Sequence, residues 1–210
     1  RLKLYDIGKR MLSYEESLKI LKETNALLEG HFILSSGLHS NQYIQCAKLL
    51  SYPKKAERIC SSLCEKINAE FNKIDIILSP AIGGIVIGYE IGRQLSIETI
   101  FSERVDGKMQ LRRGFTIPKN SNVLIVEDVI TTGKSALECS KIVSSSNANV
   151  VGYACIIDRS NKELLIKEKI ISQVKLRLDV FTKENIPADL LKIEPVKPGS
   201  RNKNKWEKED

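Results

Sequence analysis

The sequence of 210 residues lacks the signatures of several large protein classes. No apolar run approaches the ~20 residues of a membrane-spanning helix, and residues 1–16 contain no apolar core of a signal peptide. We also find no internal repeat of the length that builds a solenoid. These absences lead us to expect a cytoplasmic protein without membrane contact, folded as one domain over residues 1–210.

Cysteine and histidine are scarce, with five and two residues respectively. The cysteines are odd in number and form no C-x-x-C pair, which argues against a metal cage built from them. Cys60 and Cys64 lie on the same predicted helical face as Ile67 and Phe71. We therefore expect small buried hydrophobic residues here, rather than metal ligands or a disulfide.

A strong charge asymmetry is also missing, although the formal net charge is +7. The charges are scattered, and acids occur nearly everywhere except near the C-terminus. A polyanionic small substrate explains the basic surplus as well as a nucleic acid does, and a lysine-rich solvated surface explains much of it. We therefore do not expect a nucleic-acid partner.

Apolar patterns predict strands and helices that alternate along the chain, which is typical of an α/β fold. The predicted helices are 13–28, ending at Gly30, then one from Pro53 to Phe71, and one that ends near Leu95. The predicted strands are 32–34, 43–44, 74–78, 98–102, 123–126, 150–157 and 176–181. Residues 195–210 form a polar tail that we expect to be mobile.

The most informative stretch is VLIVEDVITTGKSALE, residues 123–138. Its first four residues are apolar and fit a strand buried on both faces of a parallel sheet. Glu127 and Asp128 follow at the carboxyl end of this predicted strand, the edge of an open α/β sheet where ligands bind. The two acids therefore predict a binding site at this edge.

The following loop has the composition of a phosphate-binding loop. Residues 131–135 offer hydroxyl groups and backbone N–H groups to an anion that the next helix dipole also favours. Ser135 and Glu138 fit a capping box that would begin this helix. An ordinary buried strand followed by an N-capped helix is the alternative without a ligand.

A nucleotide P-loop is excluded, because that motif needs a glycine five residues before Gly133 and the position holds Asp128. Beside a ribose, in contrast, this carboxylate can accept hydrogen bonds from two hydroxyl groups. The loop therefore fits a sugar phosphate better than ATP.

Three other segments follow predicted strands. The two glycines of segment 79–84 permit either close approach of a ligand or a tight turn. Segment 103–115, with Arg104 and Lys108, is by composition a solvated loop or β-hairpin, but its place between two strands of the predicted site favours a lid over a phosphorylated substrate. Arg159 is either exposed or the partner of a ligand carboxylate.

The motif of four apolar residues, two acids, two apolar residues and a Thr/Gly-rich turn resembles the ribose-phosphate signature of type I phosphoribosyltransferases. Further segments resemble the orotate phosphoribosyltransferases in order and spacing over nearly the whole chain. These segments are GHFILSSGLHSNQYIQCAK, SPAIGGI, FSERVDGKMQLRRGF and IIDRS, with PVKPGSR similar to one branch. The resemblance implies an α/β fold with a mostly parallel twisted sheet flanked by helices, and a small N-terminal hood at about residues 1–50.

The resemblance also implies an activity, transfer of the phosphoribosyl group of 5-phosphoribosyl pyrophosphate (PRPP) to N1 of orotate in UMP biosynthesis. Mg²⁺ would be carried by the pyrophosphate, without a direct protein ligand. Glu127 and Asp128 would bind ribose, Thr131 and Arg159 would bind orotate, and the catalytic residues would be Lys108, Asp128 and Glu127. The 5-phosphate would bind Val129, Ile130, Thr131, Thr132, Gly133, Lys134 and Ser135, and the pyrophosphate loop would be Ala81, Ile82, Gly83 and Gly84. Arg104 and Lys108 would complete the neighbouring site of a homodimer.

The chain departs from this family at several positions. Many members have Lys where this chain has Ser35 and Gly83, and their loop often carries His where it has Met and Gln at 109–110. These differences leave open which cations bind the pyrophosphate and what protonates it. Lys48 and His39 are candidates for contact with the ligand.

Two other functions stay open at the level of the sequence. A phosphoribosyltransferase for a purine or for uracil would not need Arg159 to bind a carboxylate. A regulator that senses PRPP and binds nucleic acid would show strongly salt-dependent affinity. The intact segment with Lys108 argues against the regulator, because a sensor need not close over a reacting centre.

Overall fold

The computed structural model describes residues 11–161 and 163–198 and has two sheets flanked by helices. The elements are α1 (Tyr14–Glu23), β1 (Leu27–Ile33), β2 (His39–Ile44), α2 (Cys46–Leu50), α3 (Pro53–Glu70), β3 (Ile76–Pro80), α4 (Gly83–Leu95), β4 (Glu98–Val105), β5 (Lys108–Leu111), β6 (Asn122–Ile130), α5 (Lys134–Ser145), β7 (Asn149–Asp158), β8 (Ile170–Lys175), β9 (Val180–Phe181), a 3₁₀ turn (Lys183–Asn185) and α6 (Ala188–Leu191). No helix in this part of the chain is long and apolar enough to cross a membrane.

The larger sheet has the strand order β5-β4-β3-β6-β7-β8, and only the β4–β5 pair is antiparallel. The prediction of an α/β fold with a mostly parallel sheet is confirmed. Among the parallel strands the first and third in the chain, β3 and β6, are neighbours, so the order reverses between them. Such a reversal leaves a crevice outside the carboxyl ends of the two strands, where open α/β sheets bind ligands.

Alternation along β6 divides the core between the two faces of the sheet. Leu124 and Val126 pack in one cluster with residues of α1, α3 and α4, whereas Val123 and Ile125 pack in another with residues of α5. A strand with both faces covered is apolar at every position, which explains the continuous apolar run. All five cysteines are free and buried, which confirms the burial predicted for Cys60 and Cys64.

The first helix is shorter than its apolar pattern predicted, so the prediction of a helix over 13–28 is wrong. α1 ends at Glu23, and Asn25 adopts a left-handed conformation with φ of 57°. The Ala26 N–H donates to Leu21 O at 2.8 Å, and the Asn25 N–H donates to Lys22 O at 3.0 Å. These bonds form a Schellman cap, and the chain turns there into β1, which contains Leu28.

The predicted strand pair at 32–34 and 43–44 is confirmed as β1 and β2, which are antiparallel. The predicted last strand at 176–181 is wrong in most of its length. β8 precedes it, because the apolar residues of 170–175 pair in parallel with β7. Only β9 remains of the prediction, and it pairs with β2 in the smaller sheet.

The C-terminal segment also reaches the smaller sheet. Val196 accepts a hydrogen bond from the Ile33 N–H and donates one to His31 O, both at 2.8 Å. Residues 195–198 of the predicted mobile tail therefore contact β1, and residues 199–210 lie outside the described part of the chain. The hood thus combines β1 and β2 with segments from the far end of the sequence.

Candidate active site

The two acids lie within β6, because this strand continues to Ile130 instead of ending before Glu127. Both side chains are half-buried. Burial, and secondarily the charge of Asp128, raises the pKa of Glu127 to about 8. Burial also raises the pKa of Asp128, opposed by the Val129 N–H, which donates to Asp128 Oδ1 at 2.9 Å. In this environment, contact with a cation or with hydroxyl donors stabilises the ionised form of a carboxylate.

The start of α5 differs from its predicted capping box. The N-cap is Gly133, with φ of 76°, and this residue has no side chain to cap the helix. Ser135 lies inside the helix, and Glu138 pairs with Arg104 instead. The capping-box prediction is therefore wrong. The Lys134 N–H donates weakly to Thr132 Oγ1 at 3.4 Å, and Gly133 offers no side chain to the other first-turn N–H groups. Uncapped N–H groups at a helix N-terminus are suited to an anion.

Residues 164–166 support this loop from the far side. The Leu165 N–H donates to Thr132 O at 2.9 Å. A Cβ added at Gly133 would lie 2.6 Å from Ile166 Cδ1, so a larger residue there would force the Ile166 side chain to shift. This contact could not be predicted from the sequence, because 164–166 lies in an irregular segment after β7.

The loop after β3 approaches the acids closely. α4 begins at Gly83, and its N-cap, Ile82, forms no side-chain cap. A Cβ added at Gly83 would lie 2.9 Å from both carboxylate oxygens of Asp128. The Ala81 N–H donates to Ser102 O at 2.8 Å, and the Ala81–Ile82 peptide bond is cis. Two helix N-termini, those of α4 and α5, therefore flank the two acids at neighbouring strands.

Arg159 lies beside the loop that follows β6, where its N–H donates to Ile130 O at 2.8 Å. Its Nε is buried and has no hydrogen-bond partner in the described part of the chain. Burial lowers the pKa of the guanidinium. The adjacent Asp158 carboxylate is paired with Lys175 at 3.3 Å. Since a buried unpaired donor is costly, Arg159 is poised for an anionic ligand.

Two hood residues near Arg159 were not predicted. Tyr43 on β2 and Cys46 on α2 both act electrostatically on the Arg159 guanidinium. The Cys46 thiol also lies 3.9 Å from Asp128 O. The only signal in the sequence was their place in the segment that resembles the orotate enzymes.

The other candidates from the N-terminal part lie in the hood. His39 is buried, and its Nδ1 lies 2.6 Å from Nε2 of His31. The other ring nitrogen of His31, Nδ1, lies 3.0 Å from Ile193 O. Ser35 and Lys48 are exposed. The pairing of His39 with His31 accounts for this histidine without a ligand.

Segment 103–115 contains a β-hairpin, the alternative that its composition favoured. Asp106 and Gly107 both have positive φ, as a two-residue type I′ turn requires. Arg104 donates to both carboxylate oxygens of Glu138 on α5 and to Gly107 O, the latter at 2.7 Å. Lys108 and the residue at 110 are exposed, and Met109 is half-buried. Arg104 is thus bonded to α5 and not to the acids or the glycine loop.

The crevice therefore unites the acids 127–128, the loop 129–135, the loop 81–84 and Arg159, whereas the hairpin with Arg104 and Lys108 stands beside α5. Their roles toward a substrate remain predictions. The geometry provides two helix N-termini without side-chain caps at their N-cap residues, two carboxylates between them, and one buried guanidinium nitrogen without a hydrogen-bond partner in the described part of the chain.

Comparison with known proteins supports one family. The phosphoribosyl transferase domain model matches residues 50–187. An orotate phosphoribosyltransferase of Methylorubrum extorquens (strain PA1) is 47% identical over 188 residues, which cover 89% of this chain and 96% of that protein.

Solved structures show the same fold. The crystal structure of orotate phosphoribosyltransferase from Aeropyrum pernix has a TM-score of 0.65 and 25% identity, covering 75% of this chain and 92% of that one. An adenine phosphoribosyltransferase from Thermoanaerobacter pseudethanolicus has a TM-score of 0.56 and 17% identity, covering 64% and 88%. The chain belongs to the phosphoribosyltransferase family and, within it, to the orotate phosphoribosyltransferases.

Proposed function

We propose that this protein transfers the phosphoribosyl group of PRPP to N1 of orotate, giving orotidine 5′-phosphate and pyrophosphate in the synthesis of UMP. Arg159 is the observation that carries the choice of base, because its buried, unpaired guanidinium nitrogen lies at the rim of the crevice. A planar guanidinium is well matched to the carboxylate that distinguishes orotate from uracil. The 47% identity to an orotate phosphoribosyltransferase supports the same base.

PRPP carries two phosphate-bearing ends, and the crevice has two helix N-termini. We place the 5-phosphate on residues 129–135, before α5, and the pyrophosphate on residues 81–84, before α4. The ribose then lies between them, with its hydroxyl groups on Glu127 and Asp128. Thr131 stands with Arg159 on the side of the base.

In the reaction the bond between ribose C1 and the pyrophosphate oxygen breaks, and its electron pair leaves with pyrophosphate. N1 of orotate forms the new bond to C1 and its proton is released. Positive charge builds on the ribose beside Glu127 and Asp128, where the ionised carboxylates stabilise it. Lys108 acts on the negative leaving group, and closure of the hairpin keeps water away. No nucleophilic side chain is needed.

Mg²⁺ fits this site as a companion of the substrate. Within the described residues no group of three or more His, Cys, Asp or Glu side chains could hold a metal ion. Mg²⁺ usually keeps several waters and is bound together with substrate phosphates, so the pyrophosphate of PRPP would carry it into the crevice without a direct protein ligand. When bound to the pyrophosphate, Mg²⁺ neutralises the charge that develops on the leaving group.

We further propose a cytoplasmic homodimer with no membrane or nucleic-acid partner, in which Arg104 and Lys108 of each copy complete the other's site. The face of α4 beside the site supports a second copy as occupant. Ile82, Val86 and Tyr89 are spaced along one side of this helix and are 85%, 51% and 66% exposed. This apolar stripe begins in the pyrophosphate loop itself, so a partner on it lies next to the crevice.

Purified protein mixed with orotate, PRPP and Mg²⁺ tests the activity by the loss of orotate absorbance, with uracil and adenine as alternative bases. We expect orotate alone to be consumed. Folded protein that leaves orotate untouched would refute the proposal, and consumption of uracil or adenine instead would assign another base.

A further inference from the structure

We infer that Glu138 is a positioning residue that holds Arg104 on α5 until the pyrophosphate of PRPP displaces it. The inference rests on the proposed function, since PRPP is the competing anion. It adds a carboxylate that opposes substrate binding while Arg104 is bonded to α5. This role is distinct from that of the two acids on β6.

The contact between the two side chains occupies the guanidinium group. Arg104 Nη1 donates to Glu138 Oε1 at 3.3 Å, Nη2 donates to Oε2, and Nη1 also donates to Gly107 O at 2.7 Å. The hydrogen bond to Glu138 raises the pKa of Arg104. The donors that would face a phosphate are thus directed at a carboxylate.

The hairpin also packs on α5 through apolar side chains. Met109 and Leu111 contact the cluster that contains Ala136 and Cys139 of α5. The other ion pair of this segment, Arg113 Nε to Glu103 Oε1 at 2.7 Å, joins two parts of the segment itself. Among the residues described, Glu138 therefore provides the ionic contact between the hairpin and the helix whose N-terminus forms the 5-phosphate loop.

Phosphate and carboxylate compete for the same geometry, because both accept two parallel hydrogen bonds from a guanidinium. The Arg104 and Glu138 side chains are 40% and 23% exposed, so the pair is only moderately strong. An ion pair of this exposure changes an equilibrium by about two- to fivefold. Its loss should therefore free Arg104 and tighten the binding of PRPP by about that factor.

Calorimetric titration of Glu138→Gln with PRPP and Mg²⁺ tests this effect. We expect a Kd about two- to fivefold lower than in the wild type, and a lower KM for PRPP without a rise in kcat. Glu103→Gln is the matched control, because it breaks the neighbouring ion pair without freeing Arg104, and its Kd should stay within about 1.5-fold.

Two further arms of the experiment distinguish loss of the ion pair from a general effect of removing one negative charge. Ribose 5-phosphate lacks pyrophosphate, so Glu138→Gln should not tighten its binding. In an Arg104→Gln background the gain should disappear, as a double-mutant cycle requires for an interacting pair. A gain that persists in either arm, or a Kd for PRPP that does not fall, overturns the inference.

Hydrogen exchange of the unliganded protein tests the contact between Arg104 and Glu138 in the absence of substrate. Amides 104–111 should exchange faster in Glu138→Gln than in the wild type, and unchanged exchange counts against the inference. A protein that binds PRPP but does not consume orotate would refute the proposed activity while leaving these binding tests valid.

Discussion

At the scale of single residues, the environment of each side chain decides its chemistry. Glu127 and Asp128 are adjacent and alike, yet only Asp128 receives a backbone N–H that offsets the effect of burial. The place of both acids at a strand end predicted a binding site, and the resemblance to phosphoribosyltransferases implied that they bind ribose. The sequence could not predict the raised pKa of Glu127, which comes from side chains of other elements that cover the strand.

The pKa of Glu127 predicts a pH dependence. A raised carboxyl pKa means that the group is protonated below about pH 8 in the unliganded protein and ionised above it. Because the ionised form stabilises the cationic ribose, kcat/KM for PRPP should rise with pH through that value. Initial rates from pH 6.5 to 9.5 should show this rise in the exposed-site control Glu98→Gln and lose it in Glu127→Gln. A profile that is identical in both variants contradicts the assignment.

Arg159→Ala should abolish recognition of the orotate carboxylate. Loss of one partner of a buried ion pair costs about 3–5 kcal/mol, so kcat/KM for orotate should fall by a few hundred- to several thousand-fold. The Kd for PRPP should change little, because the ribose and phosphate sites are separate. Arg177→Ala, at an exposed position, is the control. Unchanged use of orotate by Arg159→Ala would favour a different base.

At the scale of elements, the segments between strands and helices were the parts of the fold least predictable from the sequence. The strand at β6 and the helix at α5 followed from local patterns, but the residue that begins α5 did not. Ser135 and Glu138 satisfy a local capping rule, whereas the structure uses Gly133, which must fit against Ile166 more than 30 residues later. Distant contacts of this kind have no local signal, and the same holds for the pairing of Glu138 with Arg104.

Gly133→Ala should damage both the fold and phosphate binding. A non-glycine residue at φ of 76° costs about 1–2 kcal/mol, and the contact with Ile166 adds about 1–3 kcal/mol of overpacking. Gly37→Ala is the matched control, since its φ is 84° but nothing lies within 4 Å of the added Cβ. Denaturant unfolding should show the larger loss for Gly133→Ala, together with weaker binding of PRPP. Equal losses in the two variants would contradict the support by Ile166.

At the scale of the whole molecule, a single copy contains the residues of the proposed sugar-phosphate and base sites but holds Arg104 on its own α5. The fold class and four of the six strands of the large sheet (β3, β4, β6 and β7) could be predicted from apolar patterns, and the site edge from the residues that follow them. β5 lay in a segment predicted as a lid, with a loop or hairpin as the alternative. β8 could not be predicted, because its pairing with β7, for example of Ile170 with Tyr153, depends on tertiary contacts. The cap of α1 could not be predicted either, because its left-handed residue is Asn25 instead of a glycine. We retain residues 1–210 as one proposed domain.

Tyr89→Glu should separate the proposed dimer. It places a charge in the exposed apolar stripe of α4, so sedimentation equilibrium should show a monomer with the circular dichroism of the wild type. Leu191→Glu is the control, because Leu191 is 63% exposed on a different element. A wild-type sedimentation profile for Tyr89→Glu would place the interface elsewhere.

Sharing of sites can be tested by mixing two inactive variants. If Lys108 acts on the neighbouring site, Lys108→Ala and Asp128→Asn each fail alone, but their heterodimer keeps one intact site. Random exchange should restore roughly a quarter of wild-type activity per subunit. No recovery after verified subunit exchange would indicate that each hairpin serves its own site.

The smaller sheet has a consequence for synthesis of the protein in the cell. Ser40 donates to Asp179 O at 2.8 Å across 139 residues of chain, and β1 bonds Val196. Since the ribosome makes the chain from its N-terminus, β1 and β2 can pair with each other early, but β9 and Val196 join them only after about 140 more residues have been translated. The sheet that contains Tyr43 and leads into Cys46 therefore reaches its full set of hydrogen bonds late, and so does the proposed base side of the crevice.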